Sequence, residues 1–401
     1  MMGMNLVVPF LPFYIRELGV TNPEEVASWS GLVYAGPFFL SFFFTPLWGI
    51  MGDKYGRKAM TVRAIFGLAI SQALIGFSPN VEMLLVFRMA QGAISGFIAS
   101  TLALVSSTTP REKAGYAIGI LQTASASGTV IGPLVGGSLA DMFGYRPLFF
   151  IVAVICAISG IVVIKYVQEV EERRISSVSI HSIVENYRYS LRSKPIRIAL
   201  GLILISQAAI LMIQPIFSLY VDSFEINKEY LATIAGAIFS TTGLCMVISA
   251  PWWGKRNDAK SYKNNLTIAI IGAATAYAAQ GFVTQAYQLI FFRAVQGLFM
   301  GGVLPTLYSY ITKNTASERR GGIIGIAASF NILAAMIGPT LGGYIAANVG
   351  LRQNFFITGG VLISTVIILQ FFFVDMHGTD NLPAASTEEE VAEAEMLEEA
   401  S

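Results

Sequence analysis

Long apolar runs alternate along this chain with short polar breaks, and the runs share one length scale. Eleven stretches of about 18–27 residues stand out, at 29–50, 60–77, 83–105, 114–140, 147–164, 198–221, 231–252, 266–283, 287–310, 321–347 and 355–374. A hydrocarbon layer about 30 Å thick needs roughly 20 apolar residues in a helix, so each run predicts a membrane-crossing helix. The opening stretch ending at Ile15 offers 15 residues, about 22 Å at 1.5 Å per residue, which falls short of a crossing. The expectation is a twelfth helix whose beginning precedes Met1.

Composition agrees with the pattern. The 401 residues are 54% hydrophobic and 13% charged, against about 25% charged in soluble domains. A net charge of +1 provides no global field for nucleic acid. Cys156 and Cys245 lie in separate apolar runs, which predicts small core residues and neither a disulfide framework nor a metal site. The N-terminus lacks the basic segment and cleavage site of a signal peptide.

Lysine and arginine set the expected orientation. Assigned to alternate sides of twelve crossings, the loops and linker of one side carry 20 Lys and Arg, and those of the other carry 4. The basic side is expected to be cytoplasmic, with both termini there. The even number of crossings needs the opening stretch to count as one of them.

The sequence also repeats itself. With a shift of about 205 residues, Pro46, Trp48 and Gly49 align with Pro251, Trp253 and Gly254, and Asp53 aligns with Asp258. Arg88, Gln91 and Gly92 align with Arg293, Gln296 and Gly297, while Gly132-Pro133 and Gly136-Gly137 align with Gly338-Pro339 and Gly342-Gly343. Both copies run in the same direction with the same orientation, which predicts two six-helix bundles related by a pseudo-two-fold axis along the membrane normal. The expected units are residues 1–167, a cytoplasmic linker at 168–195, a second bundle at 196–374 and a tail at 375–401. That tail holds nine acids with no Lys or Arg and reads as a solvated extension.

Three motifs carry a family resemblance. Gly49-x-x-x-Asp53-Lys54-x-Gly56-Arg57-Lys58, with Gly52 inside it, resembles the loop 2–3 signature of the major facilitator superfamily. The resemblance implies a latch between the two halves, closing the inner side when the carrier faces out. A basic loop that only fixes topology is the plainer alternative. The second copy keeps Gly254 and Asp258 but has Tyr262 in place of Arg57, so its latch should be weaker. Arg88-x-x-Gln91-Gly92 resembles the family's fourth-span motif, which implies an influence on proton transfer. An arginine within a span should face the bundle interior, unless its stem carries the guanidinium to the interface.

Gly128-x-x-x-Gly132-Pro133-x-x-Gly136-Gly137 resembles the fifth-span motif of exporters in this superfamily. Gly128, Gly132 and Gly136 recur every four residues, so one helix face lets a neighbouring backbone come close, and Pro133 bends the helix. The expected partner is the other half; plain helix packing is the alternative. Overall the resemblance is to the twelve-helix drug:proton antiporter branch, the bacterial multidrug exporters. It implies an all-α integral membrane fold, no cofactor, and a monomer. It also implies export of small lipophilic or cationic compounds through the lipid bilayer against an inward flow of protons. A carrier of one specific metabolite is the alternative.

No acid lies in the middle of an apolar run, although a proton-coupled carrier usually needs one near its pathway. Asp222 and Asp141, both at span ends, are the candidates for coupling, with an interface cap as the other reading. Mild amides occupy the spans, and Asn5, Gln122, Gln207, Gln214 and Asn331 are the candidate cavity residues, by analogy with the helices that line the cavity in this superfamily. An aromatic pathway with a few amides suits greasy or weakly cationic solutes better than sugars or phosphates. Neither a nucleotide-binding loop nor a catalytic constellation is present, so an enzyme is not expected.

Overall fold

Proline and glycine punctuate this chain where helices must begin, break or turn. The computed structural model describes residues 2–94, 96, 101, 104–105, 108–109, 113–168, 180–316 and 319–373. The first crossing is two short helices, α1 (Met2–Val7) and α2 (Leu11–Glu17), joined by a 3-10 turn at Val8–Phe10. Pro9 and Pro12 each fall at the start of a new segment, where a missing N–H leaves no bond unmade.

Helix α3 (Pro23–Tyr55) starts at Asn22, whose side chain accepts the Glu24 N–H at 2.9 Å. It stops at Gly56, which takes φ +98°, a conformation that side-chain-bearing residues rarely adopt. Helices α4 (Arg57–Gly76), α5 (Val81–Ile94), α6 (Ala114–Phe143) and α7 (Tyr145–Tyr166) follow. The run expected at 83–105 is described as helix only to Ile94 with Gly96 beyond it at φ +109°, and part of the rest lies outside the described residues. The stretch expected as a plain linker contains a helix, α8 (Ile180–Arg192). The acidic tail lies outside the described residues.

The second half repeats the first. Helix α9 (Lys194–Met212), a 3-10 turn at Gln214–Ile216 and α10 (Phe217–Asp222) form a crossing broken at Pro215 as the first is broken at Pro9. Then come α11 (Leu231–Ala259), α12 (Tyr262–Gln280), α13 (Ala286–Lys313), α14 (Arg320–Asn348) and α15 (Leu351–Phe372). Among the described residues, nine helical stretches are long and apolar enough to cross a membrane. Met2–Glu17, Val81–Ile94 and Tyr262–Gln280 occupy the three remaining positions of the twelve.

Packing obeys the duplication. Helix α3 lies on α5 as α11 lies on α13, α4 on α7 as α12 on α15, and α1 on α6 as α9 on α14. Across the halves, α3 packs on α14 and α6 on α11, a pair that the pseudo-two-fold exchanges. Hydrogen bonds repeat too. The Tyr14 hydroxyl donates to the Ile75 carbonyl at 2.9 Å and that of Tyr220 to Gln280 at 2.6 Å. The Trp48 and Trp253 indoles donate to Ala93 and Leu298 at 2.6 and 2.8 Å. Lys58 and Lys263 each reach a carbonyl at the end of the sixth helix of their half, Ile164 at 3.0 Å and Gln370 at 2.8 Å.

Candidate functional site

The two halves meet at the end of the bundle opposite the basic loops. The glycines of the fifth and eighth crossings allow this. A methyl group on Gly137 would strike the Ala232 carbonyl, and one on Gly236 would strike that of Pro133. The symmetric seam repeats the device, since a methyl group on Gly31 would meet the Pro339 carbonyl oxygen at 2.5 Å. Gly136 faces a different neighbour, the Leu6 backbone within its own half. Gly128, Gly132 and Pro133 are buried on α6. Small residues at such seams let backbones approach to van der Waals distance.

Polar ties reinforce the same end. Asp141, near the end of α6, accepts the backbone N–H of Ala232 at 3.0 Å and of Thr233 at 2.7 Å. A carboxylate from one half thereby satisfies free donors in the first turn of a 29-residue helix in the other and meets its positive end. Arg16, at the end of α2, pairs with Asp222, at the end of α10, at 2.5 Å. The Ser218 hydroxyl donates to the Pro9 carbonyl where the two broken crossings touch.

Toward the basic end the halves part. The α6–α11 seam runs down to Gly243, which faces Val130 at 3.4 Å. Beyond it, a methyl group on Gly119 of α6 or Gly254 of α11 would meet no described residue within 4 Å, and the same holds for Gly321 and Gly325 of α14. Tyr116, Ile120, Gln122, Thr123 and Ala124 on α6 are exposed. The cleft between the halves is therefore closed at one end and open at the other.

The predicted cavity residues fall on α1, α6, α9, the break after α9 and α14. Asn5 donates to the Thr129 hydroxyl at 3.4 Å, bridging α1 to α6. Gln122 is exposed, Gln207 is buried at 8% exposure and Asn331 is half-buried. Gln214 sits at the break in the seventh crossing with its Oε1 buried and unpartnered. No two of these five hydrogen-bond to each other, so they do not form one preassembled polar cluster.

Arg88 lies inside the first bundle, 2% exposed, donating from Nε to the Val33 carbonyl at 3.1 Å and from a terminal nitrogen to Gln91 Oε1 at 2.7 Å. Gly92 beside it abuts the Pro37 backbone. Arg293 is equally buried but differently held. Its guanidinium carbon lies 3.5 Å from the centre of the Phe217 ring, with Nε and one terminal nitrogen unpartnered. In the loop motif, Gly52 and Lys54 end α3, Gly56 makes the turn, and Arg57 and Lys58 open α4. The surroundings of Gly49 and the side chain of Asp53 lie outside the described residues.

Sequence reasoning missed two buried networks. In one, Gln280 donates to Gln296 at 2.9 Å, and Gln296 donates to the Tyr277 hydroxyl at 2.9 Å. In the other, Asn265 donates to Asn257 at 2.9 Å and Asn257 to Thr306 at 2.8 Å. For Gln280 and Gln296 the signal available was amides inside apolar runs, which membrane helices hold only where partners exist, whereas Asn257 and Asn265 lie in the polar break between two runs and gave no such signal.

Two six-helix bundles with a cleft between them, sealed at one end by small-residue seams and by polar ties between the halves, define a membrane transporter. A family model described as Major Facilitator Superfamily matches residues 1–279 and 212–398. The chain belongs to the major facilitator superfamily. It is 34% identical to the multidrug resistance protein MdtG of Salmonella arizonae over 91% of this chain and 90% of that protein. The MdtG protein of Salmonella newport gives the same identity and coverage. Among solved structures, a mutant of the nucleoside transporter NupG aligns with a TM-score of 0.76 at 14% identity, covering 93% of this chain and 97% of that one. A D-xylose-proton symporter aligns with a TM-score of 0.75 at 14% identity, covering 94% and 96%. These structures share the fold.

Proposed function

We propose that this protein exports lipophilic or cationic small molecules across the inner membrane by proton antiport, alternating the opening of its central cleft. The carrying observation is the 34% identity, over 91% of the chain, to proteins called multidrug resistance protein. Charge asymmetry supports the sidedness. The basic loops face the cytoplasm with both termini, so the open end is the cytoplasmic one and the structure is the loading state. The substrate enters a largely apolar cleft in which Asn5, Gln122, Gln207, Gln214 and Asn331 supply weak hydrogen bonds. The carrier works as a monomer of two bundles, 1–167 and 196–374, joined by the 168–195 linker.

Asp141 and Asp222 couple the proton. Each is a carboxylate that ties the halves together at the sealed outer end, and each tie depends on its negative charge. Protonation weakens the hold of Asp141 on α11 and neutralises the partner of Arg16, so the charge state of these two acids sets how readily the outer end opens. At the inner end, Gly49, Gly52, Asp53, Lys54, Gly56, Arg57 and Lys58 form the latch that holds the halves together once the outer end opens. Arg88 and Gln91, with Gly92, keep the first bundle rigid against that movement.

The test is accumulation of a cationic dye such as ethidium in cells expressing the chain. Lower dye levels that rise again when a protonophore collapses the gradient support the reading. Asp53→Asn should lose most of the efflux at unchanged membrane level. Unaltered dye accumulation together with uptake of a polar solute would refute it.

A further inference from the structure

Helix α8 carries a second polar cluster, at the basic end of the bundle. It lies against α14 and α9 at the basic end. Arg319, just before α14, donates to Glu185 at 2.7 Å, and its guanidinium carbon lies 5.2 Å from the centre of the Tyr189 ring. Asn186 fits where Gly322 leaves room for it. Between these elements is a surface cavity of about 340 Å³ lined by Glu185, Arg188, Tyr189, Arg192, Ser193 and Arg319.

The cavity carries three guanidinium groups against one carboxylate, and that carboxylate is already engaged by Arg319. Arg188 and Arg192 are exposed, one helical turn apart, and neither has a partner among the described residues. Lys194 and Arg197 on the first turn of α9 are exposed as well. The same stripe of α8 carries bare apolar groups: Val184 is 58% exposed and Leu191 is 50% exposed. Positions 184, 188, 191 and 192 share one helix face, so greasy and basic side chains are presented together. A soluble anion has no use for the apolar members. A helix at the membrane surface that mixes both fits a lipid, with guanidinium groups on the headgroup phosphate and apolar groups against the acyl chains.

We propose that Arg188, Arg192 and Arg319 bind the phosphate of an anionic phospholipid, with Val184 and Leu191 against its chains, seating α8 and α14 on the membrane surface. The proposal does not depend on what the cleft carries. Native mass spectrometry of the full-length chain in detergent, titrated with phosphatidylglycerol or phosphatidylcholine, tests it. The wild-type chain should prefer the anionic lipid by at least about tenfold. Each of R188Q and R192Q should weaken phosphatidylglycerol binding about fivefold, and the double variant roughly 25-fold, with phosphatidylcholine binding unchanged. V184S/L191S keeps the charges and should also weaken the lipid. Inorganic phosphate at millimolar concentration should not displace it. Equal binding of the two lipids, a double variant that keeps the preference, or displacement by phosphate alone would overturn the proposal. If R188Q/R192Q fails to purify folded, the single variants decide.

Discussion

Asp141 and Asp222 look alike in sequence, both acids at span ends, yet their surroundings make them unequal. Asp141 accepts two backbone N–H groups at the positive end of a long helix. Charge-assisted bonds of that kind contribute more than neutral ones. Asp222 pairs with Arg16, whose side chain is 40% exposed, and solvent screening holds such a pair to under about 1 kcal/mol. Asp141→Asn keeps the shape but loses the charge and one acceptor, which should loosen the sealed end by about 1–2 kcal/mol, a five- to thirty-fold shift in population. A cysteine at Ser240, a buried site on α11, in a chain with Cys156 and Cys245 replaced by alanine, would react with an impermeant maleimide from the sealed side faster by that factor. Asp222→Asn should accelerate it several-fold less. Equal effects of the two variants would remove the distinction. The sequence could show that both acids sit at span ends. It could not show that one of them caps a helix 91 residues further on, because only tertiary packing creates that cap.

At the scale of elements, the crossings were legible wherever length and apolar content coincide. The run expected at 321–347 is α14, Arg320–Asn348, and that at 114–140 falls within α6. The run at 29–50 is a longer helix because Asn22 and the Glu24–Glu25 first turn extend it into polar sequence. Breaks were harder to read. Pro215 and Pro9 divide the seventh and first crossings, but Pro133 and Pro339 leave α6 and α14 continuous, so proline alone does not decide. Helix α8 was hidden because its polar face gives it a charged composition. The four-residue glycine spacing on α6 reads as a close-packing face toward the other half, but Gly136 meets the Leu6 backbone of its own half, and it is Gly137, off that spacing, that meets Ala232 across the seam. Gly137→Val would drive a branched side chain into the Ala232 carbonyl, and no rotamer relieves a clash at Cβ. Its expected result is loss of dye efflux with normal membrane level, since the sealed end can no longer close. Gly119→Ala, whose methyl meets no described residue within 4 Å, should stay within about 0.5 kcal/mol in stability and keep transport. Equal activity of both variants would dissolve the role given to the seam.

For the whole molecule, the duplication makes closure a symmetric event. The α3–α14 and α6–α11 seams exchange under the pseudo-two-fold, so one rigid rotation of the bundles can close one end while opening the other. Alternating access of this kind predicts opposite exposure for residues at opposite ends of a single helix. Gln122 is an exposed amide on the open half of α6, and an amide facing lipid there would lack partners. Water in the cleft is the environment that suits it. Ser138, near the sealed end of the same helix, donates to its own helix at Leu134 and needs no such water. A cysteine at Gln122 should therefore react with an impermeant maleimide in inside-out vesicles and be at least about tenfold slower in right-side-out ones. Energising the vesicles should slow that reaction as the cleft turns outward. Labelling of position 122 equally fast from both sides would mean a continuous channel, and labelling only from the outside would reverse the orientation. Either result would leave the seams without the gating role that their geometry supports.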